Sequence, residues 1–162
     1  AKLDAVADIV QSLCVDEGKK LVIFTRFRAE MDGVSEAVQK VLGSKLQMVR
    51  IAGDIDIAKR GPIVEQFQTD PDTRVFVGQI DACAEGITLT AADTVVYYSL
   101  TFNMAKYAQS QDRIHRVGQR NVCTYIHLIV PHTIDEKIIS ALDKKVDLAK
   151  AITDNWRWML EE

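Results

Sequence analysis

Short runs of apolar, partly β-branched residues alternate along this chain with stretches whose apolar residues recur at helical spacing. The runs predict strands at 21–24, 47–51, 74–78, 94–98 and 124–130. Short buried strands that are separated by helices indicate a parallel sheet with helices on both faces. Such sheets bind ligands at the carboxyl ends of their strands, so the loops that follow the five runs are the places to look for function.

Amphipathic stretches occupy the intervals between the predicted strands. Helices are predicted over 3–13, over 31–42, from about residue 58, over 104–114 and from 133 onward. Gly18 and Gly43 are expected to end the first two. Thr133 and Glu136 predict a capping box, in which Thr133 accepts from the amide three residues on and Glu136 reaches back. The last helix should present Ile134, Ile138, Leu142 and Val146 along one side.

The composition suits one ordinary globular domain of 162 residues. A net charge of −3 argues against binding nucleic acid through bulk positive charge, although a local basic cluster can still contact a few phosphates. Three widely spaced cysteines without a C-x-x-C pair favour a reducing compartment. We expect no secretory signal, because the first residues show no basic region before an apolar stretch, and no membrane partner, because no apolar run approaches the roughly 20 residues that span a bilayer.

The segment from Gln109 to Arg120, QSQDRIHRVGQR, is the most unusual part of the sequence. On a helix, Arg113 and Arg116 would lie three residues apart on one face, with Asp112 four residues before Arg116. Two arginines presented together form a fork-shaped array of donors that suits phosphate. A solvated helix face with an i,i+4 ion pair is the alternative interpretation of such a charge cluster.

The pattern Q-x-x-D-R-x-H-R-x-G-Q in this segment resembles motif VI of the Swi/Snf branch of superfamily-two helicases. The matching residues are Gln109, Asp112, Arg113, His115, Arg116, Gly118 and Gln119. Residues 85–98 are similar to motif V of the same family, and 19–27 are similar to motif IV. The resemblance runs from about residue 19 to 138. It implies that residues 1–162 form a single domain, the second RecA-like lobe, with a three-layer α/β/α fold and a mostly parallel central sheet.

The resemblance also implies roles in ATP hydrolysis for residues of motifs V and VI. Arg113 and Arg116 would act as arginine fingers that reach the γ-phosphate of ATP, an effect worth roughly 10³–10⁵ in rate. Gln109 and Asp112 would position these arginines or link them to motif V, where Gly86 would help to bind the nucleotide.

A second set of residues is implied to contact DNA. Thr25, Arg26, Gly53 and Asp54 would lie in loops near the DNA backbone, and Thr88 would couple the nucleotide to DNA. Contacts with the backbone suit a motor that must step along any sequence.

The chain contains neither a G-x-x-x-x-G-K-[ST] phosphate loop nor a D-E-x-H box. ATP and Mg²⁺ would therefore be bound mainly by the N-terminal RecA-like lobe, which this chain lacks, and the chain alone is expected to hydrolyse ATP negligibly. That lobe and double-stranded DNA are the expected partners. The compact motif spacing resembles bacterial or phage members, which would place the protein in the cytoplasm; a eukaryotic member would be nuclear.

Three alternatives are compatible with the residues alone. Thr88 replaces the family's usual asparagine, and 81–85 replaces a glycine-rich turn, so the lobe could be a degenerate one that serves as a DNA- or protein-binding scaffold. An RNA helicase lobe is another alternative, although the Gly118-Gln119 ending of motif VI favours the Swi/Snf branch. An unrelated doubly wound nucleotide enzyme would need a glycine-rich first turn, and residues 25–27 do not form one.

The histidines and Cys83 are the other candidates for reactive groups. His115 is accounted for by motif VI, and His127 and His132 lack ligand spacing with a cysteine or carboxylate, so no metal site is predicted. No basic residue close in sequence would activate Cys83 as a nucleophile, which makes it a packing residue in this interpretation.

Overall fold

A computed structural model describes residues 1–83 and 86–145, which contain one five-stranded sheet. The strands are β1 (Leu21–Thr25), β2 (Gln47–Ile51), β3 (Thr73–Gln79), β4 (Thr94–Tyr97) and β5 (Thr124–His127). Their order across the sheet is β2-β3-β1-β4-β5, and every pairing is parallel. All five carboxyl ends therefore lie at the same edge of the sheet.

Helices cover both faces of this sheet. They are α1 (Lys2–Val10), which continues as a π-helical stretch over Gln11–Asp16, α2 (Arg28–Leu42), α3 (Ile57–Thr69), α4 (Ile80–Cys83), α5 (Met104–Gln111) and α6 (134–145 within the described part). Side chains of α1 and α2 pack on one face, and those of α3 to α6 pack on the other. The predicted RecA-like α/β/α fold is confirmed.

The central strand β1 shows why the sheet has two apolar layers. Leu21 and Ile23 join the cluster under α1 and α2, whereas Val22 and Phe24 join the cluster under the remaining helices. All four side chains are fully buried, as expected for a parallel strand with both faces covered. The same reason explains why the run 21–24 is continuously apolar.

Helix ends agree with the sequence in two places and differ in a third. Gly18 and Gly43 have φ values of 71° and 68°, which favour glycine. The predicted capping box at Thr133 is wrong. The Thr133 hydroxyl accepts from the amide of Asp135, two residues on instead of three, at 3.3 Å. The carboxylate of Asp135, rather than that of Glu136, turns back, and it accepts from the amide of Val130 at 3.1 Å.

The last strand and the last helix also differ from the expectation. β5 ends at His127 instead of residue 130, because its partner β4 ends at Tyr97. The last hydrogen bond between the two segments runs from Leu128 N to the Tyr97 carbonyl. On α6, Ile138 and Leu142 are buried but Ile134 is 56% exposed. Val146 lies outside the described residues. Across 1–83 and 86–145, no helix is long and apolar enough to cross a membrane.

Candidate functional site

The arginine segment does not continue α5 as a regular helix. α5 begins after Asn103, whose side chain accepts from the amide of Lys106 at 3.1 Å, and it ends at Gln111. Asp112 caps its carboxyl end, so Arg113 lies in the turn that follows. The prediction of a helix to residue 114 is wrong, because the chain must turn here for the Arg113 carbonyl to accept from the amide of Leu89, at 2.9 Å.

Arg113 and Arg116 nevertheless converge on one point of motif V. Both Nη1 atoms donate to the carbonyl of Ile87, at 3.3 Å from Arg113 and 3.1 Å from Arg116. Arg116 also donates to Oγ1 of Thr88 at 3.1 Å, and the Nε of Arg113 donates to the carbonyl of Gln109 at 2.9 Å. The two guanidinium groups are therefore held together beside Thr88.

The electrostatics of this pair favour a bound anion. Arg113 is half-buried, and its pKa lies below the usual range because of burial first and the positive charge of Arg116 second. An arginine remains charged despite such a shift. Two neighbouring positive charges, one of them partly removed from water, are stabilised by a ligand that carries negative charge.

The three predicted nucleotide-binding residues lie around this pair in different ways. Gly86, next to Ile87, is exposed and has a φ of 72°, a value that favours glycine. Gln109 contacts Arg113 through its carbonyl, whereas its side chain is exposed. The carboxylate of Asp112 is exposed and forms no ion pair with any residue in the described ranges.

An open cavity of about 510 Å³ lies beside Ile87 and Thr88, the two residues that the arginine pair contacts. It is lined by Ile57, Arg60, Gly61, Val64, Gly86, Ile87 and Thr88. Arg60 donates to the carbonyl of Ile55 at 3.2 Å and to that of Ala82 at 2.7 Å, so it connects the loop after β2 with α4. No local sequence pattern marks this connection, because both partners of Arg60 are main-chain carbonyls.

The predicted DNA-contacting residues of β1 occupy the carboxyl edge of the sheet. Thr25 was expected in a loop, and that is wrong: it is the last residue of β1, and its side chain is fully buried. Arg26 follows it at the surface, where its guanidinium lies 5.0 Å from the ring centre of Phe27. The amide of Arg26 donates to the hydroxyl of Ser99 at 2.7 Å, which ties this turn to the end of β4.

Gly53 and Asp54 lie in the loop after β2, as expected. The amide of Gly53 donates to Oε1 of Gln79 at 2.8 Å, and sequence reasoning missed this partner at the end of β3. Asp54 forms an exposed ion pair with Arg28. The hydrogen bond from Arg28 holds the pKa of Asp54 below its usual value.

Other candidate reactive groups are engaged in packing. Burial raises the pKa of the Cys83 thiol to about 12. The ring of His127 stacks on Tyr97 with centroids 5.0 Å apart, and its Nε2 lies 2.6 Å from the hydroxyl of Tyr107. Within 1–83 and 86–145, no group of three or more histidine, cysteine, aspartate or glutamate residues is arranged to hold a metal ion.

Comparison with known proteins assigns this chain to a family. The model of the helicase conserved C-terminal domain matches residues 1–118. The chain therefore belongs to the helicase conserved C-terminal domain family, which agrees with its RecA-like sheet and with motifs V and VI.

The similar proteins define the branch of the family. The chain is 34% identical over 148 residues to the DNA annealing helicase and endonuclease ZRANB3 of Mus musculus, covering 91% of this chain and 14% of that protein. It is 33% identical over 151 residues to the SWI/SNF-related matrix-associated actin-dependent regulator of chromatin subfamily A-like protein 1 of Drosophila melanogaster, covering 93% of this chain and 20% of that protein.

A solved structure of the same kind supports this assignment. The C-terminal part of the Fun30 ATPase domain superposes with a TM-score of 0.79 at 28% identity, covering 87% of this chain and 44% of that one. The chain is a C-terminal helicase lobe of the Swi/Snf type. It spans a seventh to a fifth of the length of the two relatives named above. Both relatives come from animals, so a bacterial or phage source for this chain stays a prediction.

Proposed function

We propose that this domain is the second motor lobe of an ATP-dependent DNA translocase. In this proposal Arg113 and Arg116 act as arginine fingers on ATP, and the carboxyl edge of the sheet contacts the backbone of duplex DNA. The convergence of both guanidinium groups on the Ile87 carbonyl is the observation that carries the proposal, because it fixes two positive charges beside motif V. Fixed charges lower a barrier more than mobile ones, since they need no reorganisation during the reaction.

The donor set at this site fits the phosphates of ATP better than it fits a metal ion. Arginine N–H groups and the Thr88 hydroxyl can donate to phosphate oxygens, as the family role requires. Mg²⁺ prefers carboxylate oxygens, and within the described ranges no acidic cluster of three or more residues is present here. Mg²⁺ and most of the ATP are therefore assigned to the N-terminal RecA-like lobe.

In ATP hydrolysis the transferred phosphoryl group spreads negative charge over its γ-oxygens. Arg113 and Arg116 would stabilise that charge when the two lobes close. Their shared contact with Ile87 would transmit the closure to the segment that carries Thr88. Gly86 would allow this segment to approach the nucleotide closely, and the Gln109 carbonyl would keep Arg113 in place.

The DNA contacts proposed for the carboxyl edge are local, as a net charge of −3 requires. Arg26 is assigned to a phosphate, with Thr88 and the loop at Gly53 beside the backbone. Asp54 would act through Arg28, which it pairs with, because a carboxylate facing a phosphate is itself unfavourable. Thr25 would support this edge from inside the fold, since its side chain is fully buried.

ATP turnover with and without duplex DNA tests the proposal, on a polypeptide that includes the preceding lobe. Arg113→Ala and Arg116→Ala are each expected to lower kcat by roughly 10³-fold or more while nucleotide still binds. Arg120→Ala is the matched control: Arg120 is exposed in the same segment, and among the described residues its side chain has no hydrogen-bond partner, whereas its amide donates to Oε1 of Gln119. If neither Arg113→Ala nor Arg116→Ala lowers turnover, the alternative of a degenerate lobe that serves as a binding scaffold is favoured instead.

The 162-residue chain alone should hydrolyse ATP negligibly. It holds the proposed arginine fingers but lacks the phosphate loop and acidic box that bind the nucleotide and Mg²⁺. Phosphate release from the purified chain, with and without duplex DNA, measures this directly. Robust DNA-stimulated turnover by the chain alone would contradict the division of labour between two lobes.

A further inference from the structure

The side-chain amide of Gln119 connects motif VI with motif V through main-chain groups. Its Nε2 donates to the carbonyls of Ala92 at 2.7 Å, Ile114 at 3.0 Å and Thr90 at 3.3 Å. Its Oε1 accepts from the amides of Arg120 at 3.1 Å and Asn121 at 3.2 Å. One half-buried side chain thereby links three separate stretches of backbone.

This link closes a loop that otherwise lies in solvent. The four residues between Ile114 and Gln119 are exposed, and they include Arg116 and Gly118. Val117 within this stretch is fully accessible, so it adds no packing. Besides the main-chain bonds from His115 N to the Gln111 carbonyl and from Gln119 N to the Arg116 carbonyl, the ends of this turn are held by the buried side chain of Ile114 and the carboxamide of Gln119.

Contacts between the two motifs are arranged along their length. Arg116 contacts the Ile87 carbonyl and the Thr88 hydroxyl near one end, and the amide of Leu89 donates to the Arg113 carbonyl in the middle. Gln119 makes the contacts at the other end, with Thr90 and Ala92. Without the carboxamide of Gln119, the turn around Arg116 would lose its contacts with Thr90 and Ala92 and would keep those with the segment from Ile87 to Leu89.

We propose that Gln119 is a positioning residue for the arginine pair: its carboxamide holds the Arg116 turn in register with motif V. The inference rests on the proposed function of Arg113 and Arg116. Gln119 does not reach the nucleotide in this scheme, because all of its hydrogen bonds are used inside the lobe. A small displacement of a charged group away from a reacting phosphate is enough to lower the rate on the order of 10²-fold.

The test is a double-mutant cycle in the two-lobe polypeptide, with DNA-stimulated ATP turnover as the measurement. Gln119→Met keeps the length of the side chain and removes all of its hydrogen bonds. It is expected to lower kcat on the order of 10²-fold and to leave the KM for ATP close to that of the parent. In an Arg116→Ala background the same change should lower kcat by no more than about two-fold, because groups that act as a unit are not additive.

An equal loss in both backgrounds would overturn the inference, since it would show that Gln119 acts independently of Arg116. Gln39→Met is the control, because Gln39 is exposed on α2 and donates to the carbonyl of Gly43, away from both motifs.

If Gln119→Met fails to fold, Gln119→Asn enters the same cycle. If Arg113→Ala and Arg116→Ala leave kcat unchanged, the proposed function fails; if they lower it and Gln119→Met does not, only the positioning role fails.

Discussion

At the scale of single residues, Gly78 shows how closely β3 passes its neighbours. A Cβ at this position would lie 2.6 Å from Sγ of Cys83 and 2.8 Å from Cε1 of Phe76, and both of these side chains are fully buried. Gly78→Ala should therefore lower the free energy of unfolding by about 1–3 kcal/mol through overpacking. Urea denaturation of the chain measures this change.

Gly33 provides the comparison for this substitution. It lies inside α2, and a Cβ there would meet nothing within 4 Å. Gly33→Ala should raise the free energy of unfolding by about 0.5–1 kcal/mol, because alanine favours a helix interior and restricts the unfolded chain. Equal stabilities of the two variants would contradict the tight packing at Gly78.

Sequence patterns identify the arginines of the candidate site but not the main-chain partners of Gln119 and Gln79. Arg113 and Arg116 lie three residues apart in a recognisable motif, so their spacing along the chain predicts that they lie close together. Gln119 and Gln79 act through main-chain partners more than 25 residues away, for example Ala92 and Gly53. Every residue type carries these main-chain groups, so the sequence alone does not indicate which residue will be the hydrogen-bond partner.

At the scale of elements, an aromatic cluster joins α5 to β4 and β5. His127 of β5 stacks on Tyr97 of β4, and its Nε2 contacts the hydroxyl of Tyr107 on α5. Burial lowers the pKa of His127, and the nearby charge of Asp143 opposes this shift only in part. The cluster therefore keeps the imidazole in its neutral form.

This cluster should make stability depend on pH. The folded-state pKa of His127 is below the unfolded value of about 6.5, so the unfolded state binds more protons as the pH falls through that range. The free energy of unfolding should decrease from pH 7 to pH 5, and His127→Gln should flatten this slope. Urea denaturation across this range measures it; an unchanged slope in the variant would assign the dependence to other groups.

Elements were predictable where local and tertiary preferences agree. β2 was predicted at 47–51 and forms there, because its apolar residues fit a covered strand. The short helix α4 was missed, since four residues carry no periodicity that could reveal it. The predicted helix over 104–114 ends at Gln111, because contacts with motif V override its local preference for further helix.

At the scale of the whole molecule, an ion pair joins the first helix to the last described helix. Lys2 at the start of α1 contacts Asp135 of α6 at 2.6 Å, and the two side chains are only 17% and 13% exposed. Lys2 also donates to the carbonyl of Tyr98 at 2.8 Å. The pair therefore links helices on opposite faces of the sheet beyond the end of β4.

Removing one partner of this pair should cost more than removing both. Lys2→Met leaves the carboxylate of Asp135 partly buried without its cation, which is expected to lower the free energy of unfolding by about 1–3 kcal/mol. Adding Asp135→Asn should recover part of that loss. Thermal and urea denaturation of the two single variants and the double variant give the coupling; strictly additive losses would show that the pair is not coupled.

The strand order has a consequence for synthesis on the ribosome. β1 is central in the sheet, yet both of its neighbours, β3 and β4, come later in the chain. At about 5–20 residues per second, translation takes roughly 3–14 s to proceed from Thr25 to Thr94. During that interval an apolar strand of the nascent polypeptide has an unpaired edge, and such an edge can pair with another chain.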